Sequence, residues 1–381
     1  MKIVIAIDSF KGSLSSLMAG RAIEEGIKAV SKDTETIVSP LADGGEGTVS
    51  AVVSATGGRL EKISVSGPLG DTVSAEYGII DKTRTAIIEM SAAAGITLIE
   101  KERRNPLFTT TYGVGEMIRH AISVNGCRNF IVGIGGSATN DGGVGMLEAL
   151  GFSFLDQNGK KIPRGAHGLS LLSEIRCDNA LSELRQCEFH VACDVKNPLC
   201  GEFGAIAVYG PQKGATPEMV KNMDAWLENY ASLTEKSRGI SAKHVEGAGA
   251  AGGLGFAFLS YLDGKLEAGI DLVMRLTELE EKIRSCDLVI TGEGRLDSQT
   301  CMGKAPIGVA KLAKKYEKPV VAFSGCVTDD AIECNRHGID AFFPILREIT
   351  TLEAALEEER AYKNLKATAE QVFRLIKAFE R

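Results

Sequence analysis

Carboxylates and cations recur in this chain at one kind of place, the few residues that follow a short β-branched run. Asp8 and Lys11 follow KIVIAI, Asp43 and Glu46 follow TETIVSPL, and Ser324 follows KPVVAF. Leu288-Val289-Ile290 empties into a glycine-rich loop that holds Glu293, Arg295, Asp297 and Gln299. Such runs read as buried parallel strands, and in open α/β sheets ligands collect outside the carboxyl ends of the strands. Carboxylates that hold Mg²⁺ together with phosphate oxygens, with Lys and Arg offsetting charge on a moving group, suit phosphoryl transfer. Asp/Glu pairs alone fit hydrolysis equally well. For Asp43 and Glu46, helix capping stands beside the chemical role. For Glu293, Arg295 and Asp297 the alternative is mutual pairing in a solvated turn.

A second kind of signal lies in GIGGSATNDGG, residues 133–143, after the apolar run NFIV. Gly133 to Ala138 match the GxGxxA dinucleotide pattern, and Asp156 ends GFSFLD at about the right distance for a ribose-binding acid. The Asn140-Asp141-Gly142-Gly143 stretch would then occupy the first turns of the required helix, where each internal glycine costs about 1 kcal/mol. The helix is therefore expected after Gly143. The loop before it offers the backbone of Gly135 and Gly136 and the side chains of Ser137, Thr139 and Asn140, a cradle for nucleotide phosphates. No GxxxxGK[ST] occurs, because Gly303-Lys304 lacks the upstream glycine.

The elements that must position these groups follow from periodicity. Residues 2–7 read as strand and 14–30 as an amphipathic helix capped by Ser13 or Ser15, with Glu24 and Lys28 spaced i,i+4 on its polar face. A second strand–loop–helix unit ends near residue 57. From about residue 62 the texture becomes an antiparallel meander, followed by strand-to-loop signals at 129–143, 188–199 and 205–216 and a small-residue tract at 247–255 that permits close helix packing. The βα texture returns after 284, with strands at 287–291, 318–325 and 339–345, helices at 304–316 and after Thr328, and an amphipathic helix from about 351 to 381. Two βα units at the start and three at the end give a flavodoxin-like five-stranded parallel sheet, residues 1–65 and 284–381, interrupted by an inserted mixed α/β domain over 66–283. The fold class is α/β.

Bulk properties narrow the partners. The 381 residues exceed one ordinary core. No apolar stretch reaches the ~20 residues of a membrane span, and the amino end lacks a secretory cleavage pattern, so the chain reads as cytoplasmic. Nine cysteines without a CxxC pair fit reduced thiols. Cys177, Cys187, Cys193 and Cys200 with His190 lack paired zinc-ligand spacing. A net charge of −7 with no basic stripe argues against nucleic acid.

Taken together, DSFKGSLS, PLADGGEGT, GIGGSATNDGG, CDVKNPL, GPQKGAT, GAGAAGGLG and ITGEGRLDSQT resemble the bacterial type I glycerate kinase family, in the family's order across nearly the whole chain. Ile7 departs from the proline that commonly precedes the first aspartate. The resemblance implies ATP-dependent, Mg²⁺-assisted phosphorylation of D-glycerate in glyoxylate or sugar-acid catabolism, two α/β domains with the second inserted in the first, and a site in the cleft between them. The 2-phosphate is the favoured product and the 3-phosphate the alternative. The individual roles are read from the residues: Asp194, after a strand of the inserted domain with no obvious helix to cap, is the expected general base, with a turn-forming role before Asn-Pro as the alternative, and Lys11 and Asp297 are also expected to be catalytic. Arg295, Glu293, Gln299 and Asp8 are expected at the substrate, Arg295 on its carboxylate. Gly135, Gly136, Ser137, Thr139, Asn140, Lys213 and Lys304 are expected at ATP, and Asp43, Glu46 and Asp297 at Mg²⁺. D-glycerate and ATP are the expected partners, with neither nucleic acid nor membrane, and a homo-oligomer is compatible with the sequence. The rivals are a nicotinamide-dependent dehydrogenase using residues 133–156 and a metabolite-binding regulator that retains the pocket.

Overall fold

A computed structural model describes residues 1–379. Its strands, in chain order, are β1 Lys2–Ile5, β2 Glu35–Val38, β3 Arg59–Ser66, β4 Thr72–Ile80, β5 Thr85–Glu89, β6 Asn129–Gly133, β7 Ser153–Leu155, β8 Glu174–Arg176, β9 Glu188–Ala192, β10 Lys265–Glu267, β11 Leu288–Leu296, β12 Val320–Val327 and β13 Ala341–Pro344. The chain divides into two compact units, one of Met1–Asp43, Ser50–Gly57 and Ile270 onward, the other of Gly44–Val49 and Gly58–Gly269. The boundaries thus fall at 57/58 and 269/270, against the expected 65/66 and 283/284. The reason is that β3 pairs along its whole length with β4, while the helix Leu279–Arg284 packs on the helix Ala305–Lys315.

In the first unit all five strands are parallel, in the order β13-β12-β11-β1-β2. Ile3, Val4, Ile5, Leu288, Val289 and Ile290 are all buried. A sheet covered on both faces selects such unbroken apolar runs, because neither face meets water. One cover is the helix Ser16–Val30, which buries Ala19, Ile23 and Ile27 in one cluster with Leu365, Ala369 and Phe373 of the helix Glu358–Phe379. Its amino end is capped by Ser15, whose Oγ accepts from Met18 N–H at 3.2 Å. The i,i+4 pair does not form: Glu24 accepts from Thr36 Oγ1 at 2.5 Å, and Lys28 Nζ donates to Thr34 O at 2.5 Å. Both take partners from the strand side rather than solvate on the helix face. The last two residues of the expected carboxyl-terminal helix lie outside the described residues.

The second unit is a six-stranded mixed sheet, β10-β9-β6-β5-β4-β3, parallel from β10 to β5 and antiparallel across β4 and β3. β7 and β8 form a separate antiparallel hairpin. Phe130 of β6 and Phe189 of β9 stack at 4.8 Å in the core. Residues 205–209 form a helix rather than a strand. Ala205 and Ile206 pack in the apolar core with the helices Pro217–Arg238 and Ala250–Tyr261, so tertiary burial overrides the β-branched content. No helix among the described residues is long and apolar enough to cross a membrane.

Candidate functional site

Counted along the first unit, the strand order is 2-1-3-4-5, which places a topological switch point between β1 and β11. A cavity of about 540 Å³ opens there, lined by residues that follow β1 (Asp8, Lys11) and β2 (Asp43), by Cys326 near the end of β12, and by Glu293, Arg295, Asp297, Gln299 and Lys304. The sheet itself brings these residues together. Glu293 and Arg295 stand on β11 rather than in a loop, in register with Ser324 and Cys326 of β12, so their side chains are held by a paired backbone. Gly292 permits this. Its φ is +153°, and a Cβ there would lie 1.9 Å from the Phe323 carbonyl, which excludes any side chain.

Asp8 is 5% exposed, and Ser9 N–H donates to its Oδ1 at 2.6 Å. Burial first, then the charge of Asp43 and more weakly that of Glu293, push the Asp8 carboxyl up to about 7, against Ser9 N–H and Lys11. Lys11 Nζ pairs with Asp43 Oδ2 at 3.2 Å. Burial would lower its pKa, but the carboxylates of Asp43, Asp8 and Glu293 outweigh that and hold it above the ordinary value. Glu293 is raised by burial, opposed by the Thr300 hydroxyl, which donates to its Oε1 at 2.6 Å, and by Lys304, whose Nζ is 4.0 Å from Oε2.

Asp297 is committed to its own loop. Its Oδ1 accepts from the N–H groups of Gln299 and Thr300 at 3.0 and 3.3 Å, and its Oδ2 meets Arg295 Nε at 3.2 Å. That is a turn-bracing carboxylate, with both oxygens already engaged within the loop. Among the described residues Arg295 pairs with Asp297 and not with Glu293, and its side chain is 63% exposed at the cavity. Ser324 donates to Cys326 O at 2.7 Å and is fully buried, a structural role. Among the described residues no group of three or more His, Cys, Asp or Glu forms a metal cage. Mg²⁺ in phosphoryl transfer needs only one or two carboxylates beside phosphate oxygens, and the crowding of Asp43 and Glu293 against Asp8 is the charge a divalent cation would relieve.

In the second unit the helix begins at Val144, after Gly143, as the glycine count requires. Of the expected cradle, Gly135 and Gly136 are exposed, while Ser137, Thr139 and Asn140 are buried. Lys213 is buried as well. Its Nζ donates to Ser137 Oγ at 2.8 Å, Thr139 O at 2.7 Å and Asn140 Oδ1 at 3.2 Å, holding the loop from behind rather than reaching out to a ligand. Burial lowers its pKa to about 7, against the Asp141 carboxylate. Asp141, not among the expected site residues, secures the other side: it accepts from Thr111 N–H at 2.8 Å, Gly143 N–H at 3.1 Å and Gly145 N–H at 3.3 Å, and from the hydroxyls of Thr110 and Thr111. The tract 247–255 explains itself here. Gly252 O accepts from Gly142 N–H at 3.0 Å, and a Cβ on Gly252 would lie 2.0 Å from Thr139 O. Only glycine lets that backbone brace the loop.

Asp194 is exposed, and its Oδ1 accepts from Gly269 N–H at 3.0 Å, the first residue of the helix Gly269–Leu276. The chain thus gives it a helix end to hold, which sequence spacing does not reveal. Glu46 is exposed in the segment 44–49; the half-buried Glu89, whose Oε1 accepts from Val49 N–H at 2.8 Å, is raised by burial first and then by the charge of Glu46, against the N–H groups of Val49, Gly47 and Thr48. The sequence signal for Glu89 is an acid directly after the apolar run AII. The dinucleotide alternative fails on topology: β7 pairs antiparallel with β8, outside the parallel sheet, and Asp156 accepts from Asn158 and Lys160 N–H in a surface turn.

A doubly wound parallel sheet with charged groups at its switch point, carrying an inserted mixed domain, places this chain among α/β proteins that bind a small ligand at the sheet's carboxyl edge. The sequence profile of the glycerate kinase family matches residues 3–377. The glycerate kinase of Haemophilus influenzae is 49% identical over 376 residues, covering 99% of each chain. The glycerate 2-kinase of Escherichia coli is 48% identical, covering 97% of this chain and 98% of that protein. A crystal structure of a putative glycerate kinase 2 from Salmonella typhimurium LT2 superposes with a TM-score of 0.92 at 47% identity, over 100% of this chain and 99% of that one. The chain belongs to the glycerate kinase family, whose members are phosphotransferases.

Proposed function

We propose that this enzyme transfers the γ-phosphoryl group of ATP to D-glycerate and forms 2-phosphoglycerate. The observation that carries the reading is the first unit's cavity, which gathers an exposed arginine, two lysines and three clustered carboxylates at the switch point. The E. coli relative's description as a glycerate 2-kinase supports the 2-phosphate. Arg295 pairs with the carboxylate of glycerate, since a guanidinium offers parallel donors that fix a plane. Lys11 and Lys304 offset the charge of the transferring group, with Gln299 beside them on the cavity wall. Asp8, buried at the end of β1, accepts the proton of the reacting hydroxyl, and a carboxyl near 7 suits that task. Asp43 and Glu293 fit a Mg²⁺ ion, which would neutralise phosphate charge when bound. In the second unit the exposed tip Gly135-Gly136 offers backbone N–H groups to phosphate, and Lys213 holds that tip in place. With Asp194 capping a helix, Asp8 is preferred over it as the base.

The test is a coupled assay with ATP, Mg²⁺ and D-glycerate, with the product isomers resolved by phosphorus NMR. We expect 2-phosphoglycerate. The 3-isomer, or no turnover, would refute the assignment. Asp8→Asn should lower kcat by about 10²–10⁴, and Asp194→Asn should cost far less. The reverse order returns the base to Asp194.

A further inference from the structure

We infer that the apolar end of the first unit's cavity is a nucleobase subsite, with Asn364 reading the base edge. The inference rests on the proposed nucleotide dependence and deepens it. A cavity of about 540 Å³ falls within the roughly 300–1,000 Å³ typical of sites for drug-sized ligands. A three-carbon hydroxy acid fills a small part of it, and every heavy atom of that acid is an oxygen or bears one. Yet one end of the lining is hydrocarbon. Leu352, Ala355 and Leu356 come from the helix Leu352–Leu356, at the i, i+3, i+4 spacing that puts them on one face. Ile345 and Leu346, just past β13, continue the wall. Nothing in glycerate accounts for it.

The same wall is left incompletely covered by the protein. Leu352 is 76% exposed and Leu356 39% exposed, an arrangement expected of a surface that a flat apolar ligand completes. The wall also adjoins the phosphate-binding end directly: a Cβ on Gly12, next to Lys11, would stand 3.9 Å from Leu356 Cδ2. A ligand that is planar and apolar at one end and anionic at the other therefore matches the cavity along its length. Asn364 is the polar group among these apolar residues, three positions beyond Ala361 on the helix Glu358–Phe379 and so on the same face. Asn364 is half-buried and lines the cavity. A carboxamide presents one donor and one acceptor side by side, which is complementary to the amino group and ring nitrogen of adenine. The flipped amide matches the carbonyl and N–H of guanine in the same way, so Asn364 recognises a purine edge without choosing between the two purines.

Calorimetric titration of ADP into the full-length chain reads this subsite without turnover. Two variants isolate it, Leu356→Asp on the exposed wall and Asn364→Leu, each checked for an unchanged thermal midpoint. We expect Leu356→Asp to raise the Kd for ADP and the KM for ATP at least tenfold and to leave the KM for glycerate unchanged. Asn364→Leu should raise the Kd for ADP and the KM for ATP and leave the KM for glycerate unchanged. Unaltered ADP affinity in Leu356→Asp, or a rise confined to the KM for glycerate, overturns the subsite. So does a wild-type chain that does not bind ADP. A wild type that binds ADP, loses that affinity in Leu356→Asp and yet leaves glycerate unphosphorylated sinks the glycerate reading while the base subsite stands. A wild type active on glycerate whose ADP affinity ignores both substitutions sinks the subsite alone.

Discussion

At the scale of single residues, the two cations that define the two units do opposite kinds of work. Arg295 is exposed and half committed, its Nε on Asp297, so the rest of the guanidinium faces the cavity as a carboxylate receptor. Replacing it by lysine removes the parallel donors and keeps the charge. Arg295→Lys is expected to raise the KM for glycerate at least tenfold, or about 1.4 kcal/mol, with the KM for ATP nearly unchanged. Glyceramide, which lacks the charge, should be a poor substrate for both proteins. Equal losses on glycerate and glyceramide would remove Arg295 from the carboxylate. Lys213 is the buried counterpart, with three acceptors and no exposure to a ligand. Lys213→Met would leave the Thr139 carbonyl and the Asn140 amide oxygen buried and unpaired, at about 1–3 kcal/mol each. A denaturant titration should show that loss even without substrates.

At the scale of elements, the positions that matter are those where backbone must touch backbone. Gly252, at φ +69°, meets Thr139 and Asn140 across a gap that admits no Cβ. Gly252→Val should destabilise the second unit by roughly 3 kcal/mol or more, since strain in the left-handed region adds to the clash. A thermal midpoint equal to wild type would show that the loop 134–143 yields freely and is not held from that side. At the amino end of the helix Ser16–Val30 the expected effect is smaller. Ser15→Ala removes the one side-chain cap and should cost about 1 kcal/mol in the same measurement.

For the whole molecule, buried titratable groups set the response to pH, and the sign can be worked out. Asp8 titrates at about 7 in the fold against 3.8 unfolded, so between those values the folded chain holds the extra proton. Its contribution to stability is present below the unfolded pKa and is lost as pH rises toward 7, by up to about 4 kcal/mol. Glu293, Glu89 and Asp141 are also raised, by burial, and act in the same direction. Lys213 is lowered from 10.5 to about 7. Between those values the unfolded chain holds the extra proton, so its penalty fades as pH rises from about 7 to 10.5. Thermal midpoints across pH should accordingly fall on the acid side of neutrality and recover on the basic side. Asp8→Asn should flatten the first limb and Lys213→Met the second. Limbs unchanged by the substitutions would assign the pH response to other groups.

The sequence alone determined the parallel sheet, the mixed inserted domain and the family, because β-branched runs, glycine-rich loops and the order of motifs are local properties that survive any detail of packing. It also determined that Asp8, Lys11, Asp43, Glu293 and Arg295 share one sheet edge, since in a doubly wound fold the residues that close or follow a parallel strand gather at its carboxyl end. What only the tertiary structure decided is which way each side chain faces and what it already holds. Glu293 and Arg295 lie on β11 because β12 extends alongside them. Asp297 is spent on its own turn, Asp194 on a helix end, and Lys213 on the back of a loop. The apolar wall beside Lys11 comes from residues 345–364, far along the chain from it. Hydrogen-bond partners and cavity walls depend on contacts between distant segments, and no periodicity within a segment encodes them.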